Sequence, residues 1–369
     1  MQFIASYQVP KENAGTVRTF RVDNDTDLAS DTHTMAVPGL CPDISLVGSR
    51  TKLGAQPTHW RDRVAFVEVK ASEDQGPTSP NDTVKEIAQQ AADHARLHMS
   101  LAPFQLFSVG LLIYGLQFCV AIFDRAGVTF SPEGCLDTTI GQGWYTFIRI
   151  VRCLAVTATP TQLGLDPTAT PISPSPTVAS MIAKTAQRYR VVVPSDLPVY
   201  AVSLGGLTER RWVTVGPLSS SSSLFGRGTT VWLVGELDGD VPTGKVAAMK
   251  TSWRRVSRTP ESAIYQALKS TTSLPPYVAN FLEGADVEYP FAASESGDCR
   301  AIRISTLRNT PLGEEDSILH RLFLASVGRP IWMFDSEKEL ILGLKAALHG
   351  EPSSCAVSLA RKLILVRRP

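Results

Sequence analysis

The sequence predicts an α+β chain of two folded parts: a mixed α/β sheet in the first half, and an antiparallel sheet with a helix in the second. Three observations carry this expectation. Between residues 40 and 156, short apolar runs rich in β-formers alternate with stretches of helical periodicity. Residues 157–177, TATPTQLGLDPTATPISPSPT, are so rich in Pro and Thr that no regular element can run far through them, which marks a linker. Beyond it, two strands flank a glycine-bearing turn and a helix follows. The length of 369 residues agrees with two domains, because single cores rarely grow beyond about 250–300 residues.

Taken in order, residues 1–39 are polar and weakly patterned and read as a flexible N-terminal segment. DISLVG (43–48) and VAFVEVK (64–70) read as strands. The polar loop ASEDQGPTSPN ends at Asn81 or Asp82, either of which can cap the helix TVKEIAQQAADHARLHMS at 83–100. The run FQLFSVGLLIYGLQFCVAIF (104–123) is long enough to span a membrane. Gln105, Ser108 and Gln117 interrupt it, however, and Gly110 and Gly115 punctuate it, so two buried strands turning near Gly115 describe it better. A tight turn at 124–127, DRAG, leads to a helical stretch around 144–156, which completes a domain over 40–156.

The second domain is expected over 178–350. Its polar tract LSSSSSL (218–224) reads as flexible, strands at 229–236 and 245–250 flank the turn LDGDVPTG, and a helix starts at about Glu261. HRLFLASVG (320–328) reads as an apolar strand and SEKELILGLKAALHG (336–350) as the last clear helix. No internal repeat at solenoid period is present.

Composition narrows the function classes. With 36 basic against 35 acidic residues the net charge is +1, so the broad cationic surface that non-specific nucleic-acid or membrane binding needs is absent. Neither a nucleic acid nor a membrane is the expected partner; a protein partner or substrate of unknown identity is. The six cysteines (41, 119, 135, 153, 299, 355) are scattered without a C-x-x-C pair, which fits free thiols better than a disulfide framework. The first residues, MQFIASYQVPKENAG, lack a secretory pattern, and an intracellular location, cytoplasmic or nuclear, is expected.

Two constellations could carry chemistry. In the first, Pro42-Asp43 begins one strand and Glu68-Val69-Lys70 ends the next. Positions i and i+2 of a strand share a face, so Glu68 and Lys70 point together and Asp43 can join them from the neighbouring strand. Two carboxylates beside a lysine suit magnesium, which neutralises charge and activates water in phosphodiester cleavage. The pattern resembles the PD-(D/E)xK nucleases, and Gln89 and Gln90 on the following helix occupy a position where those enzymes often place a glutamine. A solvated Glu68–Lys70 pair is the blander alternative. His94 and His98, four apart on that helix, lack the carboxylate of an H-E-x-x-H site and read as surface histidines.

The second constellation lies at 226–261. Gly226 and Gly228 in GRGTTVW make a glycine turn before a strand, although Val231 stands where a third glycine would complete G-x-G-x-x-G. KVAAMK (245–250) ends in Lys250, and Glu261 opens the next helix within reach of it. Phosphoryl transfer from ATP needs these parts in this order: a turn over the phosphates, a lysine on α/β-phosphate oxygens and a helix glutamate to hold the lysine. An antiparallel hairpin with a surface lysine is the alternative.

Together with F-D-R-A-G-V (123–128), L-G-L-D-P-T (163–168), K-x-S-W-R (250–254) and H-R-L-x-L-x-x-V-G-R-P-I (320–331), this order resembles the fungal-type protein kinase family over most of residues 40–349. The resemblance implies a kinase small lobe over the second domain and ATP-dependent Ser/Thr phosphoryl transfer with ATP and Mg as cofactors. It makes Lys250 and Glu261 the ATP-side ion pair and puts Val327 and Gly328 in the hinge beside adenine. In the family a catalytic H-R-D loop and a metal-binding D-x-G follow the helix at 336–350. Here the chain continues GEPSSCAVSLARKLILVRRP, a divergent tail over 351–369. His320-Arg321-Leu322 has no aspartate, and Asp124-Arg125-Ala126-Gly127 precedes the lysine strand. The chain is therefore expected to be catalytically silent, a truncated or pseudokinase form, with weak ATP binding or none. A Mg-dependent nuclease and a non-catalytic binding module are the alternatives.

Overall fold

The computed structural model describes residues 18–22, 41–48, 60–77, 85–194, 197–205, 210–269, 278–290, 299–313, 315–329, 334–349 and 366–367. The fold is mixed α and β, and its described residues form two compact units. The first takes its residues from Met1–Ala169, Ser220–Gly228 and Pro290–Gly313; the second from Thr170–Ser219, Thr229–Tyr289 and Glu314–Pro369.

The first unit is built on a mixed sheet. Strands β1 (Thr19–Val22), β2 (Ile44–Val47) and β3 (Arg63–Lys70) run antiparallel to their neighbours. Helix α1 (Glu86–Leu101) then crosses over so that β4 (Ser108–Tyr114) lies parallel to β3. A single apolar stripe drives this crossover: Ile87, Ala91, Ala95 and Met99 recur at helical spacing and pack with Phe66, Leu112 and Phe123. Phe66 pairs across from Gly110 in register, and a Cβ on Gly110 would sit 2.7 Å from its ring, so glycine makes room for the aromatic. The helix begins at Glu86, with Lys85 as its cap; Asn81 and Asp82 lie outside the described residues.

The apolar run at 104–123 folds as two strands. β4 and β5 (Gln117–Asp124) turn at Gly115, whose φ of 57° is the left-handed backbone glycine tolerates. β6 (Gly127–Phe130) and β7 (Gly134–Cys135) complete the sheet against β5. Helix α2 (Gly143–Arg152) follows and loosens into a π turn at Cys153–Thr157. Among the described residues no helix is long and apolar enough to cross a membrane.

Two expectations for this unit are corrected. His94 and His98 are buried, at 3% and 1% exposure, because each has found polar partners inside the sheet–helix layer. The serine tract at 218–224 is anchored: Ser220 donates to the Ser100 carbonyl and Leu224 is buried in the first unit's core.

The second unit is an antiparallel sheet. β8 (Ala169–Ile172) and helix α3 (Pro176–Tyr189) lead in, with Ser175 capping α3 through the Val178 amide. Then come β9 (Val199–Val202), β10 (Arg211–Ser220), β11 (Thr230–Asp238) and β12 (Val241–Arg255). After helix α4 (Glu261–Lys269) the chain adds β13 (Phe281–Asp286) and β14 (Ser317–Leu324), for a strand order β13-β14-β12-β11-β10-β9-β8. The last helix, α5, spans Glu337–His349.

The turn expected over 237–244 is much tighter than its Pro and Gly content suggested. β11 runs to Asp238 and β12 starts at Val241, so only Gly239 and Asp240 turn, with Gly239 at φ 58°. Thr243 and Lys245 both reach Glu236 across the hairpin, at 2.9 and 3.0 Å, which holds its outer end in register. The strand expected at 320–328 likewise shifts to 317–324 and ends before Val327 and Gly328. The five described cysteines are free; Cys355 lies outside the described residues. So do most of 1–39 and all of the tail 351–369 except Val366 and Arg367.

Candidate functional site

Alternation along β12 builds the site. Lys250 and Ala248 point to one face, and the residues directly opposite Lys250 are Val231 on β11 and Leu322 on β14. The lysine therefore rises from an apolar floor. Ala248, Leu322 and Leu324 are buried there with Tyr265 and Phe281, and Leu218, Val231 and Val327 line its partly open edge.

Helix α4 supplies the counter-charge. Tyr265 stacks on Phe281 with ring centroids 5.4 Å apart, and Lys269 sits over the Phe281 ring at 4.9 Å, so the helix is clamped to β13 by its apolar face. Burial, with the Glu261 charge adding to it, raises the Tyr265 phenol well above its ordinary range. Glu261 stands in the first turn, where the helix dipole favours a carboxylate. Its Oε1 and Oε2 accept from Lys250 Nζ at 2.9 and 2.7 Å. Both side chains are enclosed, 12% and 7% exposed, so the pair is weakly screened by solvent.

A second polar cluster adjoins the start of α4. Arg254 grips Asp286 with two hydrogen bonds, 2.9 and 2.5 Å, while its Nη1 donates to the carbonyls of Val256 and Arg258 in the turn before the helix. Asp286 also faces His320 Nδ1 at 2.9 Å, and His320 Nε2 accepts from the Ser262 amide at 3.4 Å. Burial alone would raise the Asp286 carboxyl, but His320 and Arg254 outweigh it and hold the group below the usual carboxylate range. Sequence reasoning met Arg254 and His320 only inside family motifs, gave neither a role in the site, and left Asp286 out. The available signal was Pro260, a residue with no side-chain acceptor for the helix's first amides, next to Glu261.

The glycine turn belongs to the first unit, as Lys250 and Glu261 belong to the second. Gly226 and Gly228 have φ of 90° and 46°. The Gly226 amide donates to the Arg125 carbonyl at 2.8 Å, and a Cβ on Gly228 would lie 2.3 Å from Arg125 Nε. Arg125 is buried and spends its guanidinium on the carbonyls of Met99, Ser223 and Leu224; burial pulls its pKa down to about 10. Its neighbour Asp124 caps its own turn through the Ala126 and Gly127 amides and takes two hydrogen bonds from Arg308, at 2.6 and 2.8 Å. The DRAG turn is thus fully engaged in structure.

In the nuclease-like constellation, Asp43 Oδ2 accepts from the Val69 amide at 2.7 Å, which puts it beside Glu68. Glu68 is buried, with Lys70 Nζ 3.3 Å from one oxygen and His94 Nε2 3.1 Å from the other. Both carboxylate oxygens already have cationic or N–H partners, a poor fit to a ligand that must face a divalent ion. Gln90 donates to Glu86 instead of joining them. Among the described residues, no three His, Cys, Asp or Glu side chains are grouped to hold a metal.

A fungal protein kinase family model matches residues 42–354, and the chain belongs to that family. No match appears among the curated proteins or the solved structures.

Proposed function

We propose that the second unit is a kinase-type small lobe that takes the phosphates of Mg-ATP on Lys250. The observation that carries this is the enclosed Lys250–Glu261 pair beside an apolar floor whose open edge is Leu218, Val231 and Val327. Phosphate recognition wants a fixed ammonium, and a planar base wants apolar surface next to backbone groups. When bound, ATP supplies the transferable phosphoryl group and Mg its charge neutralisation; Lys250 and Glu261 orient, while the backbone near Val327 and Gly328 borders the base. No His-Arg-Asp occurs in the 369 residues, so these residues by themselves bind nucleotide and leave phosphate in place. In this reading the protein works inside the cell, cytoplasmic or nuclear, on a protein partner, and the free cysteines are in keeping with that.

For the first unit we propose a PD-(D/E)xK-like core that serves as a fold. The β3–α1–β4 crossover and the adjacency of Asp43 to Glu68 support the likeness, and the engagement of Glu68 by Lys70 and His94 argues against metal chemistry.

Thermal shift separates the readings. Mg-ATP is expected to raise Tm, and Lys250→Ala to abolish the rise, while Mg or Mn alone leaves Tm unchanged. A metal-only rise that disappears in Asp43→Ala would favour a nuclease, and silence to every ligand a non-catalytic binding module.

A further inference from the structure

Helix α4 opens on Glu261. The residue before Glu261 is Pro260, which has no side-chain acceptor, and Thr259 precedes it. A helix start leaves its first amides without intrahelical partners, and Ser, Thr, Asp or Asn normally serves them. Here the Ser262 amide points instead at a ring from another strand, Nε2 of His320 on β14. His320 and Ser262 are buried, 3% and 5% exposed, so the contact is made inside the protein.

The hydrogen-bond directions define the ring. A backbone amide can only donate, so Nε2 must carry the lone pair. The neutral ring then bears its proton on Nδ1, opposite the Asp286 carboxylate at 2.9 Å. Asp286 is in turn held by Arg254, which also grips the carbonyls of Val256 and Arg258 in the turn that joins β12 to α4. Lys250 lies on β12 and Glu261 is the residue before Ser262, so this network sets the separation of the two members of the ion pair.

We infer that His320 is a positioning residue: it caps α4 from outside the helix and so keeps Glu261 against Lys250. The inference rests on the reading of Lys250 as the phosphate-binding lysine, and its consequence is that nucleotide affinity depends on a histidine that never touches nucleotide.

Two side chains split the two functions of the ring. In His320→Asn the amide can still donate toward Asp286 but falls short of Ser262; in His320→Gln the longer side chain presents an oxygen where Nε2 stood. With the full chain, hydrogen exchange over residues 261–269 and the dissociation constant for Mg-ATP are measured for wild type, both variants and Lys250→Ala. Asn is expected to speed exchange in α4 and weaken Mg-ATP about fivefold, the scale of a lost helix cap, with Gln close to wild type. Equal effects of Asn and Gln, or unchanged exchange in α4 for both, would overturn the inference. If wild type binds no Mg-ATP yet exchange follows the Asn-against-Gln pattern, the capping role stands and the nucleotide reading falls. Nitrogen-15 spectroscopy of the wild-type ring needs no variant: Nδ1 protonated and Nε2 bare is expected, and the opposite tautomer would refute the inference even if Asn at 320 prevents folding.

Discussion

Glu68 on β3 and His94 on α1 meet inside the first unit, with 3.1 Å between Oε2 and Nε2, and Lys70 closes on the other carboxylate oxygen at 3.3 Å. The carboxylate sits buried between the helix and the strand, one turn from the polar contacts that His98 makes to Ser108 and Arg63 in the same layer. Taking one member from a buried charge cluster leaves the others desolvated and uncompensated. Glu68→Leu is therefore expected to lower unfolding free energy by about 3 kcal/mol, whereas Asp43→Asn, exposed just before β2, costs less than about 1 kcal/mol. Urea titrations monitored by circular dichroism measure both, and equal midpoints for Glu68→Leu and wild type would contradict the account.

His98, one turn further along α1, should make the protein acid-sensitive. Its Nε2–H donates to the Arg63 carbonyl and its Nδ1 accepts from the Ser108 hydroxyl, so the folded state uses the neutral ring. Burial, the leading cause, lowers its pKa from 6.5 to about 4. A base whose folded pKa is depressed binds its proton first in the unfolded chain. Its contribution is complete above pH 6.5 and drains away as pH falls toward 4, by an amount on the order of 3 kcal/mol. The difference in stability between pH 7 and pH 4.5 should shrink markedly in His98→Gln. A difference as large in that variant as in wild type would assign the acid sensitivity to other groups.

How much of this was readable beforehand follows from how local each signal was. The α1 stripe, the β4–β5 turn at Gly115 and the start of α4 at Glu261 are written within a few residues of where they act, so periodicity and glycine punctuation find them. The approach of Lys250 to Glu261 needs only one strand, one turn and one helix start, and it too follows from spacing. The burial of His94 and His98 does not. Their partners, Glu68 and Ser108, lie 26 and 10 residues away, and a histidine without a visible partner reads as a surface residue. Leu224 and the serine tract were misread for the same reason, because Arg125, almost a hundred residues upstream, supplies the donors that anchor them. The hairpin end at 237–244 shows the opposite failure. Pro242 and Gly244 are breakers by composition, but an edge position at the start of a strand tolerates both.

The two glycines of the 226–228 turn should respond differently to the same added methyl group. Both have positive φ, so alanine at either costs roughly 1 kcal/mol in backbone strain. At Gly226 a Cβ meets open space, and little more is expected. At Gly228 it meets the Arg125 guanidinium, which cannot swing aside because its donors hold three carbonyls. Gly228→Ala should therefore destabilise by about 2 kcal/mol more than Gly226→Ala, read as a lower Tm. Relief of most of that gap in the Arg125→Ala background would identify the guanidinium as the obstacle; an unchanged gap would exclude it.

Lys250 and Glu261 allow stability and binding to be told apart. Each is enclosed with the other as its hydrogen-bond partner, so removing one alone leaves a buried charge, while removing both leaves none. Lys250→Met and Glu261→Leu are each expected to cost about 3 kcal/mol, and the double variant much less than their sum, because methionine and leucine fit the apolar floor of Ala248, Val231 and Leu322. Denaturant midpoints for the four proteins give the coupling directly. Binding should not follow this recovery. The double variant regains stability but has no ammonium to offer a phosphate, so it should show no Mg-ATP-dependent rise in Tm. If the double variant is as unstable as the sum predicts, the pair contributes through packing alone. If it still responds to Mg-ATP, the nucleotide is held somewhere other than Lys250.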